Sequence, residues 1–250
     1  MHRFFISNEL IKNNQVVFPS DLAHQITRVL RLRERDRVVV LDNSGVEHEV
    51  ELHTLAKRSV RGIICQTRPV YSEPHTHLTL YMALLKGKKL DFVLQKGTEL
   101  GVSRFVPFLS RRSVMGSLKN LGTGKVVRWE RIVREAAEQS GRGCLPEVVE
   151  PQSFEMALGE ARASGVLSLI AWEMAGGWSL KQALYPADAS RPTQVNLFIG
   201  PEGGFEKQEI QQAQRYGVQP ITLGPRILRA ETAALVAVSA VLYEFGEWER

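Results

Sequence analysis

The sequence predicts an α/β protein, a parallel sheet layered with helices and preceded by a small β-rich domain. Three observations carry this. Short runs rich in Val, Ile and Leu crowd the first 70 residues. From residue 78 onward, continuous apolar runs alternate with stretches of helical spacing, the pattern of buried parallel strands joined by helices. At 250 residues with 44% hydrophobic and 24% charged composition, the chain can bury a core without a disulfide staple. Its two cysteines, Cys65 and Cys144, cannot build a disulfide framework or a four-cysteine metal site, and they fit a reducing cytoplasm. The opening MHRFFISNELIKNN is too short and polar for a signal peptide. No run approaches the roughly 18 apolar residues of a membrane span. The expectation is a cytoplasmic protein with no membrane contact.

In the first domain, expected over 1–70, the strands are VVFP (16–19), RVVVLD (37–42), VEHEVELHTL (46–55) and VRGIICQTRP (60–69), with Asn43-Ser44-Gly45 turning between two of them. A helix is expected from Ser20 to Leu30, with Ser20 as N-cap and Asp21 in its first turn. Several short strands in so few residues point to a small barrel or compact sheet. The two prolines and polar residues of 68–77 mark a linker, placed at 71–77, and the second domain is expected over 78–250. There LTLYMALL (78–85) reads as a buried strand. A helix follows, with Leu90, Val93, Leu94, Gly97 and Leu100 on one face and Gly101 as its stop. RFVPFLS (104–110) is the next strand. After the loop GSLKNLGTGK (116–125), the helix KVVRWERIVREAAEQSG carries the stripe Val126, Trp129, Ile132, Val133 and Ala136. VLSLIAW (166–172) and VNLFIG (195–200) are strands, QEIQQAQRYG is a helix ending at Gly217, and VQPITLG (218–224) is the last strand. The final helix, 231–246, is apolar nearly all round, which implies burial and an outer face covered by a second copy of the chain.

The formal charge of +5 is unevenly spread: +3 over residues 1–70, +7 over 71–145 and −5 over 146–250. A basic front and an acidic back point to one surface facing a polyanion.

Two glycine-containing loops follow predicted strands, where α/β proteins bind ligands. In IGPEGGF (199–205), Gly200, Gly203 and Gly204 open backbone conformations closed to other residues, and Pro201 stiffens the turn. The loop lacks the Lys-Ser/Thr pair of a phosphate loop and the GxGxxG spacing of a dinucleotide fingerprint. Glu202 in its middle would repel a pyrophosphate, so a neutral or cationic ligand fits better. In LGPRILRAETA (223–233), the apolar pair Ile227-Leu228 stands between Arg226 and Arg229, a lining suited to a flat heterocycle or to plain core packing. The six histidines form no metal set, and the chain has no nucleophile elbow, so an enzyme here would work by positioning two substrates.

Together, IGPEGGF and LGPRILRAETA are similar to the cofactor site of the SPOUT methyltransferases. With MHRFF, HQITRVLRLRERD (24–36), QKGTELGVSRFVPF (95–108) and RWERIVREAAEQSGR (128–142), the chain resembles the ribosomal small-subunit RNA methyltransferase E family along nearly its whole length. The resemblance implies a PUA-like β-barrel that binds RNA, a SPOUT-type parallel sheet with a C-terminal trefoil knot, and a homodimer through the C-terminal helix. It implies methyl transfer from S-adenosyl-L-methionine to N3 of a uridine in small-subunit (16S) ribosomal RNA, free or within the assembled subunit. Carried over by position, Gly200, Pro201, Glu202, Gly203 and Gly204 form one cofactor loop. Leu223, Gly224, Ile227, Leu228, Arg229, Glu231 and Thr232 form the other, and Ala171–Glu173 a third wall. Where family members often have Ser or Thr after GPEGGF, this chain has Glu206, which is expected to weaken a helix cap. Arg229 and Glu231 are the candidates to aid loss of the N3 proton or steady charge on the uracil oxygens. RNA contacts are expected from Arg3, Arg28, Arg31, Arg33, Lys86, Lys88, Lys89, Arg111, Arg112 and Arg142. The competing readings are a SPOUT enzyme acting on another RNA position and an RNA-binding assembly factor without catalysis.

Overall fold

The computed structural model describes every residue except 57–58, 115–116, 119–121, 123, 177, 186–191 and 250. The loop expected over 116–125 lies largely outside the described residues. The chain forms two compact units, one of Met1–Glu73 with Ala137–Leu145, the other of Pro74–Ala136 with Pro146–Arg250.

The first unit holds β1 (Arg3–Phe5), β2 (Ile11–Lys12), β3 (Gln15–Phe18), a short helix α1 (Ser20–His24), β4 (Arg37–Leu41), β5 (Val46–Ala56) and β6 (Ser59–Pro69). They make one six-stranded sheet in the order β1-β4-β5-β6-β3-β2, antiparallel except for the β1–β4 pair. β1 and β2 carry no periodicity that the sequence could betray. After the exposed Arg37, strand β4 is apolar from Val38 to Leu41 because both of its faces are covered. Val38 and Val40 join Phe4, Phe18, Ile26 and Leu52 in the main core, while Val39 and Leu41 pack with Phe5 and Ala137 on the other side. Register shifts at Glu49/Val50 and Leu52/Thr54 bend the long β5–β6 ribbon. Gly62 permits the bend: a Cβ there would sit 2.3 Å from Val50 Cγ1 and 2.8 Å from the Glu51 carbonyl.

The expected helix 20–30 is corrected in two ways. Pro19 is the N-cap and Ser20 the first helical residue, with no side-chain cap. Proline loses nothing by standing where an N–H has no partner. After His24 the coil widens to a π-turn over Gln25–Val29, which lets Ile26 reach the core. The stretch expected as a linker is also held. Ser72 Oγ donates to the Gly141 carbonyl at 2.6 Å, and Glu73 accepts from Arg142 and from the Gly143 and Cys144 amides. In the second unit, Thr76 is buried against the Glu247 carboxylate.

The second unit continues with β7 (His77–Ala83), α2 (Lys89–Leu100), β8 (Arg104–Leu109), α3 (Gly124–Ser140), β9 (Glu147–Val148), β10 (Gln152–Ser153), α4 (Phe154–Ser164), β11 (Leu167–Ala171), α5 (Leu180–Leu184), β12 (Gln194–Ile199), α6 (Lys207–Arg215), β13 (Gln219–Ile221) and α7 (Ala230–Glu244). The sheet is parallel throughout, in the order β10-β8-β7-β12-β11-β13, with β9 also paired to β8. Helices cover both faces. Leu80, Met82, Leu197 and Ile199 pack with α2, α3, α5 and α7, whereas Tyr81, Phe108, Phe198 and Phe205 pack with α4 and α6. Two covered faces explain why these strands read as unbroken apolar runs. Helix α4 was not expected, although Ser153 accepts from the Met156 N–H and Gly165 closes the helix at φ 66°, both readable as boundary residues. Along α7, Ala234, Ala237, Val238, Val241 and Leu242 are buried, but Val236 and Tyr243 face outward, so one side is open. No helix among the described residues is long and apolar enough to cross a membrane.

Candidate functional site

The carboxyl ends of the adjacent strands β12, β11 and β13 open into one cleft of about 200 Å³. Ala171, Trp172 and Glu173 form the wall after β11, and Ile199 through Phe205 the wall after β12. Thr222, Leu223, Gly224, Arg226, Ile227 and Leu228 follow β13, and Ala230 and Ala233 of α7 close the floor. The cleft thus gathers Gly200–Gly204, Leu223, Gly224, Ile227 and Leu228 of the sequence-predicted set. Arg229, Glu231 and Thr232 do not line it. They occupy the N-cap and first turn of α7.

The glycines have a geometric cause. The Gly204 N–H donates to the Pro201 carbonyl at 2.9 Å, and this turn closes with Gly204 at φ +68°, the left-handed region. A Cβ on Gly204 would also stand 3.0 Å from Glu173 Oε1, so the bare backbone lets two walls meet. Arg112 Nη1 donates to the Gly203 carbonyl at 2.9 Å and holds the turn from outside.

A buried carboxylate supports this loop. Glu209, 2% exposed, accepts from Ser110 Oγ at 2.8 Å, from the Arg111 N–H at 3.1 Å and from the Glu206 N–H at 2.9 Å. Glu209, three residues into the helix, thus supplies one half of a capping box by accepting the N-cap Glu206 N–H, a bond that does not depend on a Ser or Thr at 206. The spacing Glu206-x-x-Glu209 was the available signal for this residue.

Glu202 lines the cleft, and its charge is held by neighbouring groups. Its carboxylate accepts from Lys89 Nζ at 3.0 Å and from the Lys86 N–H at 3.2 Å. Partial burial works against its charge, but its own backbone N–H, Lys89 and Lys86 outweigh that and hold its pKa below the ordinary carboxylate value. The repulsion counted against a phosphate is thus offset by a cation. Lys89 Nζ also lies 3.9 Å from Glu231 Oε2, so one ammonium stands between the glycine loop and the start of α7. Glu231 Oε2 is buried without a hydrogen bond, as is Trp172 Nε1. Ile227 is 89% exposed, an apolar side chain standing at the mouth of the cleft.

The predicted RNA-contacting cations separate into two groups. Arg28, Arg31 and Arg33 are exposed on the first unit, with Lys86 and Lys88 exposed on the second. Arg3 is paired with Glu47 at 2.7 Å, and Arg111 with Glu206 at 3.3 Å. Arg142 is corrected: it is 4% exposed, and its guanidinium holds Glu73 at 2.8 Å, so it organises the chain instead of facing a polyanion. Among the described residues, no group of three His, Cys, Asp or Glu side chains could hold a metal ion.

The model of the RNA methyltransferase domain family matches residues 72–242, which contain every residue of the cleft. The ribosomal RNA small subunit methyltransferase E of Bacillus subtilis is 33% identical over 251 residues, covering 98% of this chain and 97% of that protein. The chain belongs to the ribosomal RNA small subunit methyltransferase E family. The Synechocystis member is 34% identical over 96% of this chain and 77% of its own length. The crystal structure of the family member from Neisseria gonorrhoeae bound to S-adenosyl methionine superposes with a TM-score of 0.83 at 32% identity, covering 98% of both chains.

Proposed function

We propose that this chain transfers a methyl group from S-adenosyl-L-methionine to N3 of a uridine in small-subunit ribosomal RNA. The observation that carries the reading is the cleft across three strand ends, in a chain whose S-adenosyl methionine-bound relative matches it over nearly its full length. The residues present fit the cofactor. Leu223, Ile227 and Leu228 offer aliphatic surface to an adenine, and the glycine loop and the Thr222–Gly224 segment offer backbone N–H and C=O groups to its polar edges. When bound, the cofactor supplies an activated methyl on a sulfonium. Transfer then needs in-line approach in a fixed geometry, to which the Pro201–Gly204 turn and its Arg112 brace contribute a held wall. Loss of the uridine N3 proton falls to the start of α7. Glu231 offers a carboxylate oxygen without a hydrogen-bond partner, and Arg229 an exposed guanidinium to steady charge on the uracil oxygens. Base pairing hides N3, so the target is unpaired or flipped out.

The same reading assigns the first unit to RNA binding as a PUA-like barrel, with Arg28, Arg31 and Arg33 as its exposed cations. It includes a trefoil knot. After β13 at the sheet edge, the chain returns to pack α7 against α2 and the faces of β7 and β12, a reversal of the kind such a knot needs. It includes a homodimer covering the open side of α7, where Val236 and Tyr243 are exposed.

Mass mapping of methylated nucleotides in ribosomal RNA, from a strain lacking the gene and from the same strain with it restored, tests the reaction. A restored N3-methyluridine is the expected result, and no difference would end the proposal. Calorimetry with S-adenosyl-L-methionine separates an enzyme from a binding module. Glu231→Gln that binds the cofactor and turns over fully would remove Glu231 from the chemistry.

A further inference from the structure

A second groove lies beside the cofactor cleft, with Trp172 lining both. Its volume is about 390 Å³. One wall is a face of α6, where Lys207, Ile210, Gln211 and Gln214 fall at i, i+3, i+4 and i+7. The facing wall is Trp178 with Gln219 and Pro220 of the edge strand β13. Trp178 is 51% exposed, although its backbone is fixed: its carbonyl accepts from the Thr222 N–H at 2.9 Å. The groove therefore presents a partly exposed indole to solvent from a backbone position tied to β13.

Its polar groups are uncommitted. Among the described residues, the side chains of Gln211, Gln214 and Gln219 make no hydrogen bond, and Lys207 makes no ion pair. Trp172 Nε1 is buried without an acceptor, a state that native structures seldom leave unexplained. An indole plane, several amides that each carry a donor and an acceptor, and one ammonium make a particular combination. Planar π-surface suits stacking on a base, amides suit the edge of a base, and an ammonium suits a phosphate.

We propose that this groove binds an unpaired nucleotide of the RNA, its base stacked on Trp178, its edge read by Gln211, Gln214 and Gln219, and its phosphate met by Lys207. The inference rests on the reading above that RNA is the substrate and adds a site separate from the methyl-donor cleft. It gives the enzyme a means of selecting sequence beside the target through contact with a base.

The test uses the full-length protein, a short single-stranded RNA of mixed sequence titrated by fluorescence anisotropy, and S-adenosyl-L-methionine titrated by calorimetry on the same samples. Trp178→Ala is expected to weaken RNA binding by about 5- to 100-fold. Trp178→Phe is expected to recover most of that, and Gln214→Ala to change the preference among RNAs of different base composition. Cofactor affinity should stay at the wild-type value in all three. Unchanged RNA affinity in Trp178→Ala overturns the proposal, as does a wild-type protein that ignores the short RNA. A Phe variant as weak as the Ala variant, with both losing thermal stability, assigns Trp178 a purely structural role and also overturns it. The cofactor titration reports separately on the methyl-donor reading, so failure of one is not mistaken for failure of the other.

Discussion

Replacing Gly204 by alanine asks how far the cofactor cleft depends on one left-handed backbone position. Gly204 has φ +68°, and its N–H closes the turn onto the Pro201 carbonyl. An L-residue there costs about 1–2 kcal/mol. The new Cβ would also meet Glu173 Oε1 at 3.0 Å, but that oxygen is the far end of an exposed, flexible side chain and moves aside cheaply. The conformational cost therefore dominates. If the turn keeps its shape, the strain appears as lost stability, a fall in Tm of about 2–8 °C for a chain of this size. If the turn opens to relieve it, the strain reappears on ligand binding as about 5- to 30-fold weaker affinity. Differential scanning fluorimetry and calorimetry with S-adenosyl-L-methionine together capture both routes. Asparagine tolerates this region far better than alanine, so Gly204→Asn should fall between wild type and Gly204→Ala. An alanine variant with wild-type Tm and wild-type affinity, or an asparagine variant no better than alanine, would refute the argument.

Other consequences are equally open to measurement. Ile227→Ala should leave unfolding free energy within about 0.5 kcal/mol of wild type, because the side chain is 89% exposed, yet weaken cofactor binding about five- to tenfold. A double-mutant cycle on Lys89→Met and Glu202→Gln should return a coupling of about 0.2–1 kcal/mol that shrinks in high salt, as both side chains are partly solvated. Glu73→Gln should cost about 1.5–3 kcal/mol in denaturant titration, since it strips charge from the acceptor of a buried guanidinium. Burial works against the charge of Glu73, but Arg142 and the Cys144 and Gly143 amides outweigh it and depress its pKa below the ordinary 4.5. The contribution is therefore complete above pH 4.5 and lost as the pH falls through the depressed value, a loss the Gln variant should not show. Charge reversal of Arg31 and Arg33 should weaken RNA binding and flatten its salt slope, and an unchanged slope would remove them from the interface.

The central parallel strands β7, β11 and β12 were legible because each is buried on both faces and is therefore mostly apolar, as LTLYMALL is, whereas the two-residue strands β9 and β10 at the other end of the sheet carry no such run. The two glycine loops were legible because glycine at a strand end has few other uses. What stayed hidden depends on distance along the chain. Lys89 looked like a cation for RNA until the fold brought it to Glu202, 113 residues away. Arg142 looked the same until Glu73, 69 residues away, enclosed it. Strand β1 has three residues, too few for a period of two to declare itself, and its parallel pairing with β4 is a long-range event. The N-cap stands at Pro19 and not at Ser20, whose side chain makes no capping bond.

Glu209 carries an implication for how such a sequence can drift. One carboxylate satisfies a hydroxyl and two amides drawn from two distant stretches of chain, away from solvent. Its loss would strand several donors at once, and no single neighbouring change could restore them. Positions 110 and 209 should therefore be inherited as a pair, with an apolar residue at 209 appearing only where 110 has also lost its hydroxyl, whereas position 206 gives only its backbone N–H and is free to vary.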